Sequence, residues 1–220
     1  MKLISRHLPS RTLALATIAL TAAFGCNKKA DNTANYTAAI NTFYSAHPVC
    51  LFDSPKQLPT QADTSGSSKT SQYDALVDQG LLTRSSTEKK VFLVASKQVN
   101  LYDLSDKGRS AWSADPNQPG YGNFCYGHRK VSAIDSASPT STDPGATTQI
   151  AYRYTIDGAP AWATNAETQN AYPALQADLS SPHSAVATLT NTSNGWQLTS
   201  APGSRSSRTP ATNADGQIVK

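Results

Sequence analysis

Phe124 to Ile134, FCYGHRKVSAI, begins a strand and carries one of only three cysteines in a chain of 220 residues. Its Cys125-x-x-His128 mirrors an earlier His47-x-x-Cys50 in HPVC. If the two cysteines bond to each other, the bridge closes a loop of about 76 residues and staples a helical first half to a strand-rich second half. If the four side chains close on a metal instead, His47, Cys50, Cys125 and His128 make a Cys₂His₂ zinc set. The compartment decides between these readings, because outside the cytoplasm two cysteines that meet are usually oxidised.

The N-terminus fixes the compartment. Lys2, Arg6 and Arg11 precede an apolar run from Leu13 to Phe24, and no acid occurs before Asp31. A charged segment followed by about a dozen apolar residues is a signal peptide; spanning a bilayer takes about 20. Residues 1 to 25 carry three of the 19 Lys and Arg and none of the 15 Asp and Glu, so their removal lowers the formal charge from +4 to +1. A nearly neutral mature chain has no electrostatic footprint for nucleic acid.

Ala23-Phe24-Gly25-Cys26 resembles the lipobox of bacterial lipoproteins, although that family prefers Leu where Ala23 stands and a small residue where Phe24 stands. The resemblance implies a diacylglyceryl thioether on Cys26, which then becomes the new N-terminus. Lipidation also accounts for the odd cysteine, leaving Cys50 and Cys125 to pair. Burial of acyl chains contributes about 0.8 kcal/mol per CH₂, so two or more chains anchor stably. Ala23-x-Gly25 also fits an ordinary cleavage site, which keeps a secreted or soluble periplasmic protein as the alternative. Asn27 after the cysteine implies, by the family's sorting behaviour, the periplasmic face of the outer membrane.

Beyond a tether at residues 26–34, Tyr36, Ile40, Phe43, Tyr44 and His47 form a helical stripe ended by Pro48. Residues 53–70 read as a loop with at most one helical turn. SQYDALVDQGLL then predicts a second helix capped by Gly80. KVFLVA (Lys90 to Ala95) and VNLYDLS (Val99 to Ser105) predict a hairpin, followed by a brief helix with Ser105 as its N-cap. The order of these pieces, above all ALVDQGLLTR and YDLSDKGR, resembles a winged-helix domain over Tyr36 to Trp112. In that family the helix before the hairpin enters the major groove. Here it carries Asp74 and Asp78, with no Lys or Arg between Lys69 and Arg84, and carboxylates repel phosphates.

From Asp115 onward the signals are those of strands: FCYGHRKVSAI, a loop at 135–146, the alternating TTQIAYRYTIDG, and a last hairpin turning at Asn194-Gly195. Between the last two, PAWATNAETQNAYPALQADL is helix-prone but interrupted at Pro173, which predicts one or two short helices or an ordered loop. The expectation is an α+β protein in five segments: signal peptide 1–25, lipidated tether 26–34, winged-helix-like helical part 35–114, antiparallel sheet part 115–200, and a disordered tail 201–220.

Catalytic signals are thin. Ser86-Thr87-Glu88-Lys89 matches the Ser-x-x-Lys of penicillin-binding proteins, but Ser-Asp-Asn and Lys-Thr-Gly are absent. No P-loop and no Gly-x-Ser-x-Gly occurs. Tyr152, Tyr154, Trp162 and Trp196 read as core, with a groove lining as the alternative. No catalytic residue, metal or cofactor is expected. The sequence points to a lipid-anchored envelope protein that binds proteins, peptides or glycans or serves structurally, and binds no nucleic acid. The alternatives are an envelope hydrolase or zinc enzyme using His47, His128 or Ser86, and a membrane-tethered DNA-binding regulator.

Overall fold

The computed structural model describes residues 28–65, 67–92, 95–180, 182–198 and 203–204. The expected signal peptide, Cys26, and the tail apart from Gly203 and Ser204 lie outside the described residues. The chain is α+β, with antiparallel sheets.

Helix α1 (Thr33–Ser45) starts three residues before the predicted stripe because the Asn32 side chain accepts from the Asn35 N–H at 2.9 Å. Tyr36, Ile40 and Tyr44 are its buried face. Strands β1 (Val49–Cys50), β2 (Lys56–Gln57) and β3 (Thr60–Asp63) follow, so two short strands stand inside the segment expected to be a loop. They have no periodicity of their own; β2 forms on Gly122 and Tyr121, far away in sequence.

Helix α2 (Ser67–Asp78) ends as predicted at Gly80. The Gly80 N–H donates to Val77 O and the Leu81 N–H to Leu76 O, both at 2.8 Å, with Gly80 at φ +70°. This is a Schellman cap. Strands β4 (Leu82–Phe92) and β5 (Ala95–Leu104) pair from Leu82↔Leu104 out to Phe92↔Ala95. Thus, of the stretch expected as one strand from Lys90 to Ala95, Lys90 to Phe92 close β4 and Ala95 opens β5, and the polar TRSSTEKK is strand because β5 supplies its ladder.

Helix α3 (Asp106–Ala111) has the expected cap, the Gly108 N–H donating to Ser105 Oγ at 2.8 Å. A Cβ on Gly108 would stand 1.8 Å from Leu81 O, so only glycine lets α3 approach the end of α2 this closely.

Next come β6 (Trp112–Ala114), the 18-residue β7 (Tyr121–Ser138) and β8 (Thr147–Asp157). Helices α4 (Ala161–Thr164), α5 (Ala166–Ala171) and α6 (Pro173–Ser180) make three short helices rather than one or two. Pro173 opens α6 instead of breaking a helix, since a first-turn proline has no intrahelical N–H bond to lose. Strands β9 (His183–Thr192), β10 (Gly195–Leu198) and β11 (Gly203–Ser204) complete the order.

The larger sheet runs β1-β7-β8-β9-β10, with β2 and β6 also on β7 and β11 on β9; the smaller runs β3-β5-β4. Two hydrophobic cores result. One packs Tyr36, Ile40 and Tyr44 of α1 on Val131, Ile150, Tyr152, Leu189 and Trp196. The other gathers Leu76, Leu81, Tyr102, Phe124, Trp162 and Leu175. They do not divide at residue 114: α1 lies on the later sheet, whereas α4 to α6 cover the core of the earlier one. Strand β7 serves both cores, Phe124 and Tyr126 in one and Val131 in the other. A helical stripe shows which face of a helix is apolar but not which sheet it meets.

Candidate functional site

Cys50 and Cys125 face each other across β1 and β7 and form a disulfide, their Cα atoms 3.8 Å apart. Both sulfurs are therefore covalently engaged, and the zinc set has lost its thiolates. The histidines of that set do separate work. His47 stacks on Phe43 with ring centroids 3.9 Å apart and donates Nδ1–H to Phe43 O at 2.7 Å. His128 donates Nδ1–H to Tyr44 O at 2.9 Å, tying β7 to the end of α1. Among the described residues no three of His, Cys, Asp and Glu cluster as metal ligands.

Ser86 and Lys89 both lie on β4. Residues three apart on a strand point to opposite faces, whereas a nucleophile and its amine must share one. The pair is not brought together. The four aromatic residues singled out in the sequence are all buried, but they are split between the cores, Trp162 in one and Tyr152, Tyr154 and Trp196 in the other.

The densest chemistry lies where the C-terminal end of α1 meets β7 and β8. The Tyr44 and Tyr152 hydroxyls hydrogen-bond at 2.5 Å in the core. The Arg129 guanidinium stands over two tyrosine rings, 5.6 Å from the Tyr44 centroid and 5.5 Å from that of Tyr154. A cation held over aromatic faces gains from their quadrupoles. Arg129 takes part in none of the five ion pairs found among the described residues.

Beside this cluster opens a cavity of about 300 Å³, lined by Asn41, Ser45, His128, Arg129, Lys130 and Asp157. Asn41 Oδ1 accepts from the Val131 N–H at 2.9 Å, next to an irregularity in the β7–β8 register. Lys130 and Asp157 pair at 3.0 Å on the rim. A second groove, of about 440 Å³, runs between α1 and β10, with Ala38, Ala39, Phe43, Trp196 and Leu198 in its walls.

Arg129 and Asn41 were not singled out in the sequence, and Tyr44 was read only as part of the apolar stripe of a helix. One signal was readable: Arg129 has the same strand parity as the inward Val131, which places a charge on a core-facing side.

Burial holds several phenols protonated. It pushes Tyr126, Tyr152 and Tyr172 far above the ordinary tyrosine value, reinforced by the Asp178 carboxylate at Tyr126, by Tyr44 at Tyr152 and by Tyr73 at Tyr172. Tyr126 donates to Asp178 Oδ2 at 2.6 Å. Because folding raises these values, their stabilisation is fully present below about pH 10. It diminishes above that pH as the unfolded chain ionises, and is gone once the folded phenols ionise too. Stability is expected to fall by about 1.4 kcal/mol per pH unit for each such phenol. In an absorbance titration of the native protein, Tyr126, Tyr152 and Tyr172 stay protonated through pH 11. Ionisation of all nine tyrosines near pH 10 without unfolding would contradict this.

Comparison of the chain with protein-family models, curated proteins and solved structures finds no match.

Proposed function

We propose that the protein is a bacterial lipoprotein, exported and held at the outer membrane by acyl chains on Cys26, whose folded body acts as a non-catalytic binding module of the envelope. The carrying observation is the Cys50–Cys125 bond. It consumes two of three cysteines in the oxidised form typical of exported proteins, leaving Cys26 as the one thiol for an anchor. Its neighbours in sequence, a basic segment and a short apolar run, supply the export signal that such a modification requires.

The smaller sheet, in the order β3-β5-β4 with α2 leading into its hairpin, supports a winged-helix-like reading of this half. Its use is packing and protein contact rather than DNA binding. On α2, Asp74 takes Arg84 as ion-pair partner at 2.7 Å and accepts from the Tyr102 hydroxyl at 2.8 Å, so one of the helix's two acids is spent on holding the hairpin. The cavity beside Arg129 and the groove along β10 are the surfaces through which a peptide, an envelope protein or a glycan would be engaged.

Mass spectrometry of the N-terminal peptide from membranes is expected to find Cys26 first in the mature chain and carrying a diacylglyceryl group with N-acylation. An unmodified Cys26 thiol, or a chain recovered whole in the soluble fraction, would end the anchor reading. Crosslinking in intact cells then identifies the neighbours of the body.

A further inference from the structure

The cavity between α1 and β7 has an unbalanced charge. Of its three ionic side chains, Lys130 and Asp157 satisfy each other at 3.0 Å. Arg129 remains, half-buried, held over the rings of Tyr44 and Tyr154 rather than against a carboxylate. A guanidinium is planar and presents its N–H groups as a fork matched to a carboxylate. Stacking on aromatic faces holds its plane, and a side-chain hydrogen bond to the Tyr44 hydroxyl takes up part of the fork, which leaves the remaining N–H donors for a ligand.

The other walls refine the match. Asn41 spends Oδ1 on the Val131 N–H, which leaves its amide NH₂ as a second donor. Ser45 donates its hydroxyl proton to Thr42 O at 2.8 Å, so its lone pairs are acceptors for a ligand N–H. His128 likewise uses Nδ1–H on Tyr44 O. The site thus offers one uncompensated positive charge, an amide donor, and acceptors in the walls of the same cavity. The one uncompensated positive charge balances a monoanion such as a carboxylate and leaves the second charge of a dianion such as phosphate unpaired. At about 300 Å³ the cavity is at the small end for ligand pockets.

We propose that this cavity binds the free carboxyl end of a short peptide, its carboxylate on Arg129 and Asn41 and its last amide N–H on Ser45. This gives the binding module proposed above a ligand class. The two fail separately: a lipid-free Cys26 would leave the cavity standing, and an empty cavity would leave the anchor standing.

The test is calorimetric titration of the full mature chain in detergent with three probes: N-acetyl-alanyl-alanine, its C-terminal amide, and inorganic phosphate. The free acid is expected to bind saturably and at least about tenfold more tightly than either of the others. Arg129→Gln is expected to weaken the acid by about tenfold or more, and Arg129→Lys, which keeps the charge but loses the fork, by several-fold. Asn41→Asp keeps an acceptor for the Val131 N–H while setting a carboxylate against the ligand, so it is expected to abolish binding in a folded protein. Arg153→Gln, on the outward face of β8 and paired with Asp135, is expected to bind like the parent. The proposal is overturned if acid and amide bind alike, if phosphate binds more tightly, if no probe saturates in the millimolar range, or if Asn41→Asp binds the acid unchanged.

Discussion

Replacing Cys50 and Cys125 together with alanine is expected to lower the unfolding free energy by about 4 kcal/mol. The two cysteines lie 75 positions apart in sequence. Cross-linking so long a loop removes a large share of the unfolded chain's freedom, and that loss grows with the logarithm of loop length. In the native state the bond adds little that pairing has not already arranged: β1 lies antiparallel on β7, with Cys50 opposite Cys125 just past a shift in register at Val49, and the Leu51 N–H still donates to Phe124 O at 2.8 Å. The folded architecture should therefore survive without the bridge while its stability drops. Against a typical total of about 5–15 kcal/mol, the loss is a large fraction. Denaturant unfolding of the oxidised protein, the reduced protein and the double variant measures it, with the reduced form and the variant expected to coincide. A difference under about 1 kcal/mol between oxidised and reduced protein would show that the bridge is not the staple described here.

That staple was legible in the sequence because cysteine counting and compartment constrain each other. So were α1, α2 with its Gly80 cap, and the Ser105 cap of α3: each depends on residues within one or two turns, where side-chain type and backbone geometry act directly. The short strands β2 and β3 were not legible. A run such as Lys56–Gln57 has no reason to be extended until Gly122 and Tyr121 of β7 offer a ladder. The length of the β4–β5 hairpin was hidden for the same reason, since TRSSTEKK is too polar to signal a strand until its partner is known. The assignment of helices to cores was hidden too. Nothing local in AWAT or PALQADL says that α4 and α6 cover the Phe124 core instead of the sheet beside them in sequence. The cavity at Arg129 needed both kinds of information, the strand parity that was readable and the placement of Tyr44 over β7 that was not.

Phe124→Ala tests the consequence of one strand serving two cores. Phe124 is fully buried. Its ring meets Trp112 edge-on at 4.8 Å, Trp162 at 6.1 Å and Phe52 at 6.5 Å. Truncation is expected to cost about 3–5 kcal/mol, the range for removing a buried ring. The upper part applies when neighbours cannot collapse into the space. Here they belong to β6, α4 and the segment after β1, three separate pieces whose own packing fixes them, so the void stays largely open. The effect should also reach beyond its own core. Trp196 lies in the other core, edge-on to Tyr36 at 5.2 Å, and the backbone between Phe124 and Val131 is continuous strand. Single-tryptophan variants retaining either Trp162 or Trp196 then report the two cores independently. Both are expected to show the same lowered midpoint on introducing Phe124→Ala, because β7 cannot leave one core without surrendering its place in the other. A lowered midpoint at Trp162 with an unchanged one at Trp196 would mean that the cores unfold as separate units, and that β7 joins them in connectivity but not in cooperativity.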